Sequence, residues 1–154
     1  MDLQETDILL RLFAATAAGM ALGLNRDMQN KPIGMRTLGL VSLGTAIVVV
    51  STIYFENLVG HPDALSRVVQ GVIQGIMAGI SFIGAGVILR DAKARTVEGL
   101  TTAATVWVTA ALGIACGLAA WKIAGTGVVL ALVLLVVFGW IERWLGLGEG
   151  ERRP

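Results

Sequence analysis

Five long apolar runs divide the chain: Ile8–Leu24, Leu38–Phe55, Val68–Leu89, Leu100–Trp121 and Ile123–Ile141. Short segments between them collect most of the charge. Each run is about 17–22 residues long, enough to cross a hydrocarbon core of about 30 Å as a helix. Backbone N–H and C=O groups find no water at that depth, so each run is expected to be helical. All three prolines, Pro32, Pro62 and Pro154, fall outside the runs. Only Lys122 separates the fourth run from the fifth. A single helix over 100–141 would be about 63 Å long, roughly two bilayer crossings. A hairpin is therefore expected, with its turn within Gly117–Gly127, where Lys122 and Gly125-Thr126-Gly127 interrupt the pattern. The predicted fold is all-α: a multi-pass transmembrane helical bundle of five spans. Residues 1–141 form the membrane domain, and 142–154 form a short tail without a soluble C-terminal domain.

Composition sharpens this picture. Of 154 residues, 55% are hydrophobic and 15% charged, against about a quarter charged in soluble domains. The net charge of +1 gives no basis for nucleic-acid binding. A single cysteine, Cys116, excludes an internal disulfide and a cysteine-built zinc site. The one histidine, His61, stands beside Pro62 in a connection and reads as solvated. Acidic residues Asp2, Glu5 and Asp7 replace the basic start of a secretory signal, so the first run reads as a retained helix.

The basic residues orient the bundle. Arg26, Lys31 and Arg36 follow the first run, Arg90, Lys93 and Arg95 the third, and Arg143, Arg152 and Arg153 the fifth. Only Arg67 and Lys122 lie on the other side, with Arg11 inside the first span. The cytoplasmic side of a membrane protein carries the lysine and arginine excess. This places the N-terminus outside and the C-terminus in the cytoplasm. Tyr54 and Trp121 then anchor the outer interface, and Trp140 and Trp144 the inner one.

Small residues mark packing faces. Gly71, Gly75 and Gly79 form a bare strip on the third helix, and Gly19/Gly23 and Gly113/Gly117 repeat the spacing. Helices in lipid associate by close backbone approach at such residues. A second helix is expected along the Gly71–Gly79 strip, from the same bundle or from a homo-oligomer or partner. Gln70 and Gln74 lie one turn apart near the outer end of that helix. Thr101, Thr102, Thr105 and Thr109 run along the fourth, either bonding their own i−4 carbonyls or lining a polar path.

Charges near the membrane supply two candidate sites. Asp7 and Arg11, spaced i, i+4, suit an ion pair, with Arg11 either snorkelling outward or functional. At the cytoplasmic ends, Arg26, Asp27, Arg36, Thr37, Arg90, Asp91, Glu98, Thr101 and Thr102 form a denser set. It reads as a network fixing helix ends, or as a partner or cation site; a few carboxylates would suit Mg²⁺. No nucleophile–base pair, phosphate loop or zinc motif occurs, so no enzyme activity and no cofactor is expected.

At these ends the sequence resembles the membrane domain of the MgtC/SapB family over roughly residues 5–140. The matching stretches are Gly23-Leu24-Asn25-Arg26-Asp27, Gly34-Met35-Arg36-Thr37, Leu40-Val41-Ser42-Leu43-Gly44-Thr45-Ala46, Phe82-Ile83-Gly84-Ala85-Gly86-Val87-Ile88-Leu89-Arg90, Gly99-Leu100-Thr101-Thr102-Ala103-Ala104 and Trp107-Val108-Thr109-Ala110-Ala111-Leu112-Gly113. Arg36, Thr37, Arg90, Thr101 and Thr102 carry over as motif positions. Asn25-Arg26-Asp27 stands where the family often has Glu-Arg-Glu, Leu38 where histidine or asparagine is common, and Glu98 where arginine is common. The resemblance implies a bacterial inner-membrane protein linked to growth at low Mg²⁺ and, in pathogens, to virulence. It implies a non-enzymatic regulator that binds the membrane sector of the F-type ATP synthase. A Mg²⁺ or small-solute transporter or channel is the alternative, and whether Mg²⁺ binds stays open.

Overall fold

The computed structural model describes residues 5–54, 62–91 and 96–145. In chain order they form α1 (Glu5–Met28), α2 (Met35–Tyr54), α3 (Pro62–Val87), β1 (Leu89–Asp91), β2 (Thr96–Glu98), α4 (Leu100–Gly117), α5 (Trp121–Val133), a π-helical stretch (Leu134–Phe138) and α6 (Gly139–Trp144). Five helical spans are long and apolar enough to cross a membrane, the fifth being Trp121–Ile141. The chain is a multi-pass helical membrane protein.

α4 is the central helix, packed against α1, α2, α3 and α5. Most of it is buried, whereas α3 and α5 are mostly exposed. The inward faces follow helical spacing: Ala15, Ala18, Leu22 and Arg26 on α1, and Leu38, Ser42, Thr45, Ala46 and Val49 on α2. Most of these side chains are small, so the three backbones lie close together. A Cβ on Gly19 would collide with the Leu38 carbonyl and lie 2.8 Å from Ser42 Cβ. A Cβ on Gly113 would collide with Thr45 Oγ1 and the Ser42 carbonyl, and one on Gly117 would come within 2.9 Å of Val49. Such close approach is what small residues supply in lipid.

The turns explain where the helices stop. At the end of α1, Asn30 is left-handed (φ 51), the Lys31 N–H donates to the Arg26 carbonyl and the Asn30 N–H to the Asp27 carbonyl. This is a Schellman closure with asparagine in the position glycine usually takes. The α4–α5 turn is the same device with Ala119 left-handed (φ 55): Ala120 N–H to Ala115 O, and Ala119 N–H to Cys116 O, each 2.9 Å. The break therefore covers 118–120, and Trp121 opens α5 rather than closing α4. Lys122 and Gly125-Thr126-Gly127 do not interrupt the helix. Unbonded backbone in lipid costs more than glycine's weak helix propensity, and Thr126 Oγ1 donates back to the Lys122 carbonyl.

A second departure is at the end of α3. The third run was expected to stay helical through Leu89, but the helix ends at Val87. Leu89–Asp91 pairs antiparallel with Thr96–Glu98, Arg90 opposite Val97. Gly99 (φ +85) then starts α4; a Cβ there would be strained and would collide with the Val87 carbonyl.

The Gly71–Gly79 strip is a third. A Cβ added at Gly71, Gly75 or Gly79 meets nothing within 4 Å. Among the described residues, no second helix covers the strip. α3 instead packs into the core through Ile76 and Ile80, with Val69, Val72, Ile73 and Met77 half-buried. Burying these against α4 makes more dispersion contact than a glycine face would.

Candidate functional site

Buried polar groups concentrate in the seam between α1, α2 and α4. Among the described residues they are Arg11, Arg26, Ser42, Thr45, Thr102, Thr105 and Thr109. An arginine sits near each end of the seam. One end, here the basic end, holds the α1–α2 turn and the β1–β2 hairpin. The opposite end holds the α4–α5 turn.

At the opposite end Arg11 points inward, 3% exposed. Its Nε donates to Asp7 Oδ2 at 2.8 Å, its Nη2 lies 2.7 Å from the same oxygen, and its Nη1 donates to the Gly117 carbonyl at 2.8 Å. The snorkelling reading gives way to this arrangement. The Schellman bonds already occupy the Ala115 and Cys116 carbonyls, and Leu118 N–H takes that of Ile114. Gly117 is the last carbonyl of α4 without a backbone donor, and Arg11 supplies one. A cation at a helix C-terminus is also favoured by the helix dipole.

At the basic end Arg26 is again 3% exposed, and its Nη2 donates to Thr102 Oγ1. This joins the last turn of α1 to the first turn of α4. Asp27, one residue on, points the other way: its Oδ2 accepts the Met35 N–H at 2.9 Å, at the start of α2. A carboxylate suits the positive end of a helix. Arg26 and Asp27 thus tie α1 to different helices. Arg36, Thr37 and Thr101 are exposed. For Arg90, Asp91 and Glu98 only the strand backbone is described; their side chains lie outside the described set, as do His61, Lys93, Arg95, Arg152 and Arg153. Among the described residues, no three His, Cys, Asp or Glu side chains gather as a metal site would require.

Between the arginines the hydroxyls bond locally. Thr105 Oγ1 donates to the Thr101 carbonyl at 2.7 Å and Thr109 Oγ1 to the Thr105 carbonyl at 2.8 Å. Thr45 Oγ1 donates to the Ser42 carbonyl at 2.9 Å. Ser42 is fully buried, and its Oγ finds no partner. Ser42 and Thr45 were not singled out by sequence. Their signal was polar residues at i, i+3 on the face that also presents Leu38 and Gly39.

These positions coincide with the stretches that carried the resemblance, and the model of the MgtC family matches residues 12–144. The chain belongs to the MgtC family. It is 41% identical to SrpB of Synechococcus elongatus over 88% of this chain and 78% of that one. It is 35% identical to MgtC of Salmonella choleraesuis over 94% of this chain and 60% of that one. It is 35% identical, over 86% of this chain and 60% of the relative, to YhiD of Escherichia coli, whose name provisionally assigns it to magnesium transport. The chain thus spans most of SrpB but only about three-fifths of MgtC and YhiD. No solved structure matches it significantly. In this MgtC-family chain, Arg26, Asp27 and Thr102 of those motifs tie α1 to α4 and α2 at the basic end.

Proposed function

We propose that this MgtC-family chain is a non-enzymatic regulator that binds another membrane protein through its outer surfaces. The carrying observation is the seam. Its threonines bond their own helices or Arg26, Arg11 caps α4, and glycine contacts bring the three backbones together. Such a core holds the bundle rigid and leaves recognition to exposed groups. On the positive-inside rule, the basic end with Lys31 and Arg36 faces the cytoplasm of a bacterial inner membrane, and the N-terminus lies outside. Exposed Arg36, Thr37 and Thr101 are then the docking candidates there. The family resemblance points to low-Mg²⁺ adaptation, with the membrane sector of an F-type ATP synthase as the partner.

Co-purification from native membranes tests this reading. A stoichiometric energy-converting partner, lost on Arg36→Ala while the bundle stays folded, is the expected result. Retention of every partner by Arg36→Ala removes the basic end as the docking site.

A second reading, Mg²⁺ or small-solute transport, is favoured by the name of YhiD and by the polar side chains of the seam. It requires the α1–α2–α4 contacts to part. Buried arginines at both ends of the seam, Arg11 and Arg26, make that route unfavourable for a divalent cation.

A further inference from the structure

The exposed side of α3 is the polar side of that helix. Asp63, Arg67, Gln70, Gln74 and Ser81 are all exposed. At about 100° per residue they fall on one stripe. Gly71, Gly75, Ala78 and Gly79 lie beside it, also exposed. The large apolar residues Val69, Val72, Ile73, Ile76, Met77 and Ile80 are half-buried or buried, and Ile76 and Ile80 belong to the core of the bundle. A helix that faces lipid should carry its apolar residues outward. Between Val69 and Ser81 the large apolar residues of α3 do the reverse, whereas Val68, Phe82 and Ile83 are exposed.

The polar side chains on this face are not answered within the chain. Ser81 donates to its own Met77 carbonyl at 2.8 Å. Among the described residues, the Gln70 and Gln74 amides and the Asp63 and Arg67 side chains engage no other group. Gln74 lies near the middle of the span Leu65–Val87, where an unbonded amide is costly.

We infer that this face of α3 packs against the same face of a second copy of the chain. The argument for a second copy is self-complementarity. Two copies inserted in one membrane share an orientation, so their α3 helices run parallel about a two-fold axis. In that arrangement a residue faces its counterpart and the positions one turn away. Asp63 of each copy then meets Arg67 of the other, and Gln70 and Gln74 face amides that both donate and accept. The stripe carries one acid, one base and two amides, so it pairs with itself without net charge. Gly71 and Gly75 at its edge let the backbones approach closely enough for amide bonds to form. This surface is separate from the basic end proposed for partner docking.

The test is cysteine cross-linking of the full chain in native membranes. Wild-type Cys116 is buried and serves as the background. Under mild oxidation, Gln74→Cys and Gly71→Cys should each give a band at twice the chain mass. Val129→Cys, on the exposed side of α5, should not. In bilayer nanodiscs, Gln70→Leu with Gln74→Leu should weaken dimerisation about tenfold, since the interhelical amide bonds are lost. Gly75→Leu, which meets nothing within the chain, should keep the monomer folded and abolish the dimer. A monomer at all concentrations, or cross-links at Val129→Cys as strong as at Gln74→Cys, overturns the proposal. So does a Gln74→Cys adduct to a protein of another mass in place of the dimer.

Discussion

Arg11 shows how one residue can link sequence, fold and stability. An arginine one turn inside a span is costly unless its donors are met. Here one carboxylate and one helix-terminal carbonyl meet them. Arg11→Met should remove both links and lower stability by about 1–3 kcal/mol, the range for losing charged hydrogen bonds. A lower unfolding midpoint in lipid–detergent mixtures checks it; an unchanged midpoint would mean the guanidinium is not holding α4. Gly113 gives the packing counterpart. Any side chain there collides with Thr45 and Ser42, so Gly113→Val should cost about 1–3 kcal/mol or more by overpacking. The same assay reads it, and a neutral result would contradict the close α2–α4 contact. The i, i+4 spacing of Asp7 and Arg11 made their pairing legible in sequence. The inward turn of Arg11 was not, because its second partner, the Gly117 carbonyl, lies 106 positions away.

At the scale of elements, the turns carry the testable content. Asp27 holds the start of α2 from the end of α1. Asp27→Ala should cost about 1 kcal/mol, as for other lost N-caps, and should speed amide exchange at Met35. Ala119 takes a left-handed conformation that costs an alanine about 1 kcal/mol. Ala119→Gly should therefore be neutral or stabilising, an uncommon sign for a substitution in a membrane hairpin. A clear loss of thermal stability would contradict the turn geometry. The five spans were readable because hydropathy and the bilayer thickness set helix length. The α4–α5 hairpin was readable from length as well, with its turn inside 117–127; its place at Leu118-Ala119-Ala120 was not, because that tripeptide contains no turn-forming residue and Gly125 and Gly127 lie inside α5. The β1–β2 pair was missed because two three-residue strands leave no usable period. The glycine strip of α3 was read correctly as a face, but spacing cannot say which way a face points.

For the whole molecule, the arrangement is a tight three-helix core of α1, α2 and α4 flanked by α3 and α5. The polar groups of that core bind the helices to one another. On the reading proposed above, the exposed groups at the basic end and along α3 serve contact with other proteins. That reading makes recognition, and not passage of solute, the activity. Mg²⁺ flux into proteoliposomes containing only this protein tests that claim most directly. The account predicts no flux above that of empty liposomes, for the wild type and for Thr109→Val alike. Saturable Mg²⁺ flux that Thr109→Val abolishes would contradict it, because the α1–α2–α4 seam would then have to open.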